Sequence, residues 1–202
     1  MGTDLTVANA ARVSFGKASS ELLAKDEKLI GYLAKHKHIS PFGHCFMSFH
    51  VEAPIFVARQ LVKHKFLRWN ETSRRYIDSD PEFYHPYDWR GKPTDKKQGS
   101  VQFEEQPVEW LGVAAGTQGF YQEALDRYRW MLDIGIAPEQ ARMVLPQATM
   151  TDWWWSGSLD AFADMCNLRC KTDTQQESTL VANQIDAIAK DLFPVAWRNL
   201  TK

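Results

Sequence analysis

Between Arg59 and Tyr76 the chain reads RQLVKHKFLRWNETSRRY, its densest concentration of groups that can do chemistry. Five cations (Lys63, Lys65, Arg68, Arg74 and Arg75) and the imidazole of His64 fall within thirteen consecutive residues, with Glu71 as the lone acid of the stretch. Asn70, Thr72 and Ser73 set neutral hydrogen-bonding groups beside them. Ammonium and guanidinium groups match phosphate oxygens, while hydroxyls and amides suit a sugar or a base. Carboxylates repel an anion, which is consistent with their scarcity here. Taken alone, the triplet Lys63-His64-Lys65 has a plain reading as a solvated helix end. Joined to Asn70-Glu71-x-Ser73-x-Arg75, it reads as a grip on a phosphorylated ligand with a polar organic body.

Two further arginines, Arg142 in PEQARMVL and Arg169 in NLRC, are bordered by apolar residues. Burying an arginine is costly unless it is paired, so each is either half of a structural ion pair or a ligand for an anion. His36, His38, His44 and His50 cluster early, but no acid lies among them at ligand spacing. Cys166 and Cys170 are four apart on a predicted helix, with no Cys-x-x-Cys or helical histidine partner, so no metal site is expected. There is no Gly-x-Gly-x-x-Gly, P-loop or Gly-x-Ser-x-Gly motif, and no cysteine has the setting of a nucleophile. Residue chemistry alone therefore reaches an enzyme of phosphorylated ligands with an unnamed cofactor.

The elements that must position these groups follow from periodicity. Residues 3–15 read as a short strand or helix, and 20–36 as a helix. Ser40 is expected to cap a short helical turn with Pro41 at its first position. A strand is predicted over 45–52, then a helix from Ile55 to about Phe66, opened by Pro54, which places Arg59, Gln60, Lys63 and His64 on one broad face. Residues 77–116 lack periodicity and read as a polar loop or insertion, most clearly at 85–116. Helices are predicted over 119–134, 138–145, 158–171 and 174–192, with a strand over 147–155. The expected fold is a single α+β domain over residues 1–202, helix-rich with a small, mostly antiparallel sheet.

Bulk properties set the class. The chain of 202 residues is long enough for a proper core, and its net charge of −1 argues against a nucleic-acid binder. No apolar run spans a membrane, no signal peptide is visible, and three cysteines fit a reducing cytoplasm.

Lys63-His64-Lys65, followed by seven residues and Ser73, resembles the Arg-His-Arg-x7-Ser signature of the flavin-dependent thymidylate synthases. The blocks AARVSFGK, KHKHISPFGH, FHVEAPIFVARQ, NETSRRY, EFY, ARMVLP and NLRCKTDTQQE resemble that family in family order, over almost the whole chain. The resemblance implies methylation of dUMP to dTMP, with methylenetetrahydrofolate as carbon donor and FAD, reduced by NADPH, as hydride source. It also implies a homotetramer with active sites where subunits meet. Carried over by position, Gln60, Leu61, Val62, Lys63, Glu71, Thr72, Ser73, Arg74, Arg75, Arg142 and Arg169 would bind dUMP. Arg169 would be catalytic by polarising the uracil ring. His38, Ser40, Lys63, His64, Lys65, Glu71, Ser158, Asp160 and Asp164 would contact FAD.

Several positions depart from the family pattern. Lys63 and Lys65 stand for arginines, Gly43 for a common Glu, Asp160 for a frequent Arg, Asp164 for a frequent Asn and Asp173 for a frequent His. These changes leave open a pyrimidine deoxynucleotide hydroxymethylase or a dCMP-preferring enzyme. Readings from other classes are a single-stranded nucleic-acid binder stacking on Trp69 and a non-catalytic flavin-binding protein.

Overall fold

The computed structural model describes residues 1–95 and 99–201. Helix α1, Asp4–Arg12, settles the ambiguity of the N-terminal stretch. Thr6 Oγ1 accepts the Thr3 N–H at 3.1 Å, satisfying a donor just outside the helix, and Val7 and Ala8 face inward. Helix α2, Ala24–Lys35, starts later than the expected residue 20, because Asp26 folds back to accept the Leu23 N–H at 2.8 Å and so fixes the first turn. Arg12 forms an ion pair with the buried Asp26, joining α1 to α2.

Ser40–His44 is a 3-10 turn, but Ile39 rather than Ser40 occupies its cap position, so Ser40 does not cap it as expected. The strand expected over 45–52 is β1, Phe46–Pro54; Pro54 closes this strand instead of opening the helix. Helix α3 covers only Ile55–Leu61, not the run to Phe66. Strand β2, Leu67–Glu71, follows and was not expected.

Residues 77–95 and 99–112 are largely irregular, with isolated bridges Phe83–Thr149 and Gly91–Val101 and a 3-10 turn at Val108–Trp110. Positions 96–98 of the expected loop lie outside the described residues. Helix α4, Val113–Asp133, begins inside the stretch assigned to that loop. Helix α5, Pro138–Ala141, gives way to a 3-10 turn at Arg142–Val144. Strand β3, Met150–Ser158, lies three residues later than predicted. Helices α6, Leu159–Arg169, and α7, Gln176–Leu192, match expectation, and α8, Pro194–Leu200, is additional.

The described residues form a helix-rich α+β fold with one three-stranded sheet in the order β1-β3-β2. Ser48 meets Ser156 and His50 meets Trp154, so β1 and β3 run antiparallel. Trp69 against Trp155 and Thr72 against Asp152 give β2 and β3 the same relation. Period-two alternation explains why Trp153 and Trp155 are buried while Trp154 between them is 57% exposed.

Two compact units emerge: Met1–His50, Val62–Trp69 and Trp154 onward in one, Val51–Leu61 and Asn70–Trp153 in the other. The first is centred on Phe42, Trp155, Phe162, Met165 and Trp197, the second on Leu61, Tyr128 and Trp153. In the first unit, buried Asp4 accepts the N–H groups of Val195 at 2.9 Å and Ala196 at 2.7 Å, satisfying the start of α8. Asp4→Ala strands both donors in the interior and is expected to cost about 1–3 kcal/mol, read as a lowered urea midpoint.

Candidate active site

In the first unit, Val62 to Phe66 form a turn in which Phe66 takes a positive φ of 64° before β2 begins. The expected helical face is thereby lost: Arg59 and Gln60 stay on α3, while Lys63 and His64 leave it. Pairing of β2 with β3 accounts for the early stop, since tertiary contacts override the helix propensity of a Lys-rich segment. Gly157 in β3 makes that pairing close. A Cβ there would lie 2.4 Å from the Leu67 side chain and 3.0 Å from the Phe66 carbonyl oxygen.

The turn exposes Lys63 and Lys65 and leaves His64 half-buried. Arg169, the last residue of α6, donates through Nε–H to His64 Nε2 at 2.9 Å. The accepting nitrogen carries no proton, so the ring is neutral with its hydrogen on Nδ1. Burial, then the positive charge of Arg169, lowers the His64 pKa from 6.5 to about 4. Because the folded-state value is the lower one, unfolding takes up a proton between these two values. Stability from this group is complete above pH 6.5 and is lost as pH falls through about 4. His64→Gln should flatten the urea-unfolding pH profile in that window.

Of the other residues expected near flavin, Glu71 lies in the second unit and the rest lie in the first. His38 and Ser40 are exposed, with the His38 ring 6.2 Å from that of Tyr32. Ser158 sits at the start of α6, and Asp160 lies in its first turn with Oδ1 buried and lacking a hydrogen-bond partner. Asp164 follows one turn later, its pKa raised by partial burial and then by the charge of Asp160. A Cβ on Gly43 would stand 3.9 Å from Asp160 Oδ1. Two departures from the family pattern are thus neighbours: a Glu at 43 would confront the carboxylate at 160, and glycine removes that repulsion.

This donor set fits a flavin dinucleotide. Lys63 and Lys65 would supply cations for its diphosphate, and the buried Asp160 oxygen is an acceptor suited to a hydroxyl or an exocyclic amine.

In the second unit, the expected nucleotide residues run from the end of β2 into a loop. Thr151 Oγ1 donates to Glu71 Oε1 at 3.0 Å, and Thr72 Oγ1 donates to Asp152 Oδ1 at 2.7 Å. Ser73 Oγ accepts Arg75 Nε–H at 3.3 Å, and the exposed Arg75 guanidinium lies 4.9 Å from the centre of the Tyr76 ring. Arg74 donates to the Ser79 carbonyl. Arg129 of α4 pairs with Asp80, with Nε 2.9 Å from Oδ1, and braces the loop from behind. Ser73 and Arg75 therefore stand side by side as a hydroxyl and a cation, the pair a phosphate needs.

Gln60 is half-buried on α3, whereas the Leu61 side chain is fully buried, so only its backbone can meet a ligand; Val62, at the start of the turn in the first unit, is 47% exposed. Arg142 is exposed and bonds through Nε to the Glu139 carbonyl at 3.2 Å, leaving its charge toward solvent. Arg169, expected to serve the base, is hydrogen-bonded to His64, one of the residues expected near flavin. Sequence reading missed its link to His64, because 105 residues separate the two. Trp69, the ring that single-strand binding would stack on, is half-buried and edge-on to Trp155 at 5.7 Å. Among the described residues, no helix is long and apolar enough to cross a membrane, and no group of three His, Cys, Asp or Glu could hold a metal ion.

The family described as Thymidylate synthase complementing protein matches residues 1–195. A flavin-dependent thymidylate synthase of Thermosipho melanesiensis is 35% identical over 202 residues, covering 100% of this chain and 87% of the relative. One from Thermus thermophilus is 38% identical over 199 residues, covering 98% and 71%. Among solved structures, the UMP/dUMP methylase PolB from Streptomyces cacaoi bound with 5-Br dUMP superposes with a TM-score of 0.86 at 32% identity, covering 98% of this chain and 90% of that one.

Proposed function

The chain belongs to the family of flavin-dependent thymidylate synthases, the thymidylate synthase complementing proteins, and on that premise we propose that it converts dUMP to dTMP. Methylenetetrahydrofolate is the carbon donor and NADPH the reductant. FAD, once bound and reduced, supplies the hydride. The observation that carries this reading is the arrangement around Arg169. A guanidinium at the end of α6 is tied to the central histidine of the signature, flanked by two exposed lysines.

Each side chain has a role in this reading. Ser73 and Arg75 take the nucleotide phosphate, with Arg74 and Thr72 shaping the loop that presents them. Glu71, Gln60 and the backbone of Leu61 and Val62 address the sugar and base. Arg142 contributes a nucleotide contact from a neighbouring subunit of a homotetramer, with active sites where subunits meet. Arg169 stabilises the negative charge that develops on the uracil ring, a task for a fixed, planar cation. Lys63 and Lys65 hold the FAD diphosphate, and His38, Ser40, His64, Ser158, Asp160 and Asp164 surround the remainder. The protein works in the cytoplasm, whose reducing conditions suit its three free cysteines.

Lysine at both flanks of the signature keeps charge but gives up the two-pronged grip of arginine. Flavin binding is therefore the first test. The purified chain titrated with FAD is expected to acquire and retain a flavin spectrum through gel filtration. A chain that stays colourless overturns the reading.

A second reading concerns the sugar. The solved neighbour is a UMP/dUMP methylase, also seen bound with 5-Br UMP, where it matches with a TM-score of 0.85. Acceptance of UMP by this chain would appear as a methylated ribonucleotide when UMP replaces dUMP, and its absence would restrict the enzyme to deoxynucleotides.

A further inference from the structure

Arg169 is held at both ends. At its backbone, Thr179 Oγ1 donates to the Arg169 carbonyl at 3.0 Å, fixing the last turn of α6 against α7. At its tip, Nε–H donates to His64 Nε2 at 2.9 Å. We infer that His64 is a positioning residue that sets the plane of the Arg169 guanidinium for the nucleobase. This rests on the assignment of Arg169 to the base in the function proposed above.

A guanidinium is planar, and Nε lies on one edge of it. A directed bond at Nε selects one rotation of that plane: Nε–H and one terminal N–H share the edge that faces His64, and the remaining terminal N–H groups point away from it. A long side chain fixed before substrate arrives loses less freedom in the reaction, which is the general source of preorganised catalysis. The composition of the turn fits the same role. Lys63 and Lys65 are exposed, while the residue between them is half-buried and meets Arg169. A lysine or arginine there would set cation against cation. Histidine offers a hydrogen-bond acceptor, and partial burial beside a positive charge keeps the ring neutral through the physiological range.

This also gives the signature a division of labour. The outer cations address the cofactor, and the central ring acts on the nucleobase through Arg169. A histidine serving only as a flavin contact would have no reason to spend its Nε2 lone pair on an arginine.

The test combines a double-mutant cycle with a tautomer measurement on the full chain. Measured at saturating FAD, His64→Ala is expected to lower kcat with dUMP by about 10- to 100-fold while the dUMP KM changes by less than about threefold. His64→Gln, whose amide oxygen can accept the same bond, should recover part of the loss. In an Arg169→Ala background, His64→Ala should have no further effect beyond about twofold. Nitrogen-15 spectra of labelled histidine, assigned by the His64→Gln variant, should show the Nδ1–H tautomer at neutral pH and lose that preference in Arg169→Ala. Equal losses in both backgrounds, or the Nε2–H tautomer in the unmutated chain, would overturn the positioning role. Failure of the unmutated chain to form thymidylate would overturn the functional reading instead; the tautomer measurement then decides the histidine–arginine link by itself.

Discussion

Arg169→Ala is expected to lower turnover by about 10²- to 10³-fold, the range seen when one preorganised donor to a developing anion is removed, while FAD remains bound. Arg169 lies at the last turn of α6, half-buried, where burial lowers its pKa without removing its charge. Alanine takes away both the charge and the partner of His64. Arg169→Lys keeps a charge but loses the Nε donor and the planar fork, so it should fall between alanine and the unmutated chain. Steady-state formation of dTMP, read beside the flavin spectrum of the same sample, separates turnover from cofactor loss. Retained turnover in Arg169→Ala would refute its role.

Trp155→Ala should destabilise the protein by about 3–5 kcal/mol, the usual range for deleting a buried aromatic. For a chain of this length that lowers the Tm by about 10 °C. Trp155 is 1% exposed on the central strand, edge-on to Trp69 of β2 at 5.7 Å and to Phe162 of α6 at 5.4 Å. The ring therefore joins the strand that follows the lysine turn to the helix that ends in Arg169. Its removal should loosen the site as well as the core, so flavin affinity should fall together with Tm. A change of less than about 1 kcal/mol in urea unfolding would show that the site can collapse around the gap.

Helices were the most legible part of the chain. α6 and α7 carry long periodic patterns, and their expected limits lie within two residues of those found. What escaped was local. Lys63-His64-Lys65 looks helical by propensity, yet it forms the turn into β2, because Leu67 and Trp69 have a sheet partner that only the folded chain provides. α8 escaped because its first donors are satisfied by Asp4, at the opposite end of the sequence. For the site, the residues were readable by type and motif, whereas their connections were not. The Ser73–Arg75 pair is local and was visible in the sequence. The links of Arg169 to His64 and of Gly43 to Asp160 cross long stretches of chain and have no sequence signal of their own. The two linked departures at 43 and 160 carry a hint of their proximity, because loss of an acid at one accompanies gain of an acid at the other.

The identity of one product is decisive. The chain incubated with FAD, NADPH, methylenetetrahydrofolate and dUMP should yield a nucleotide heavier by one methyl group, formed only when the flavin and its reductant are both present. A nucleotide carrying a hydroxymethyl group instead, or dUMP returned unchanged, would contradict the proposed function.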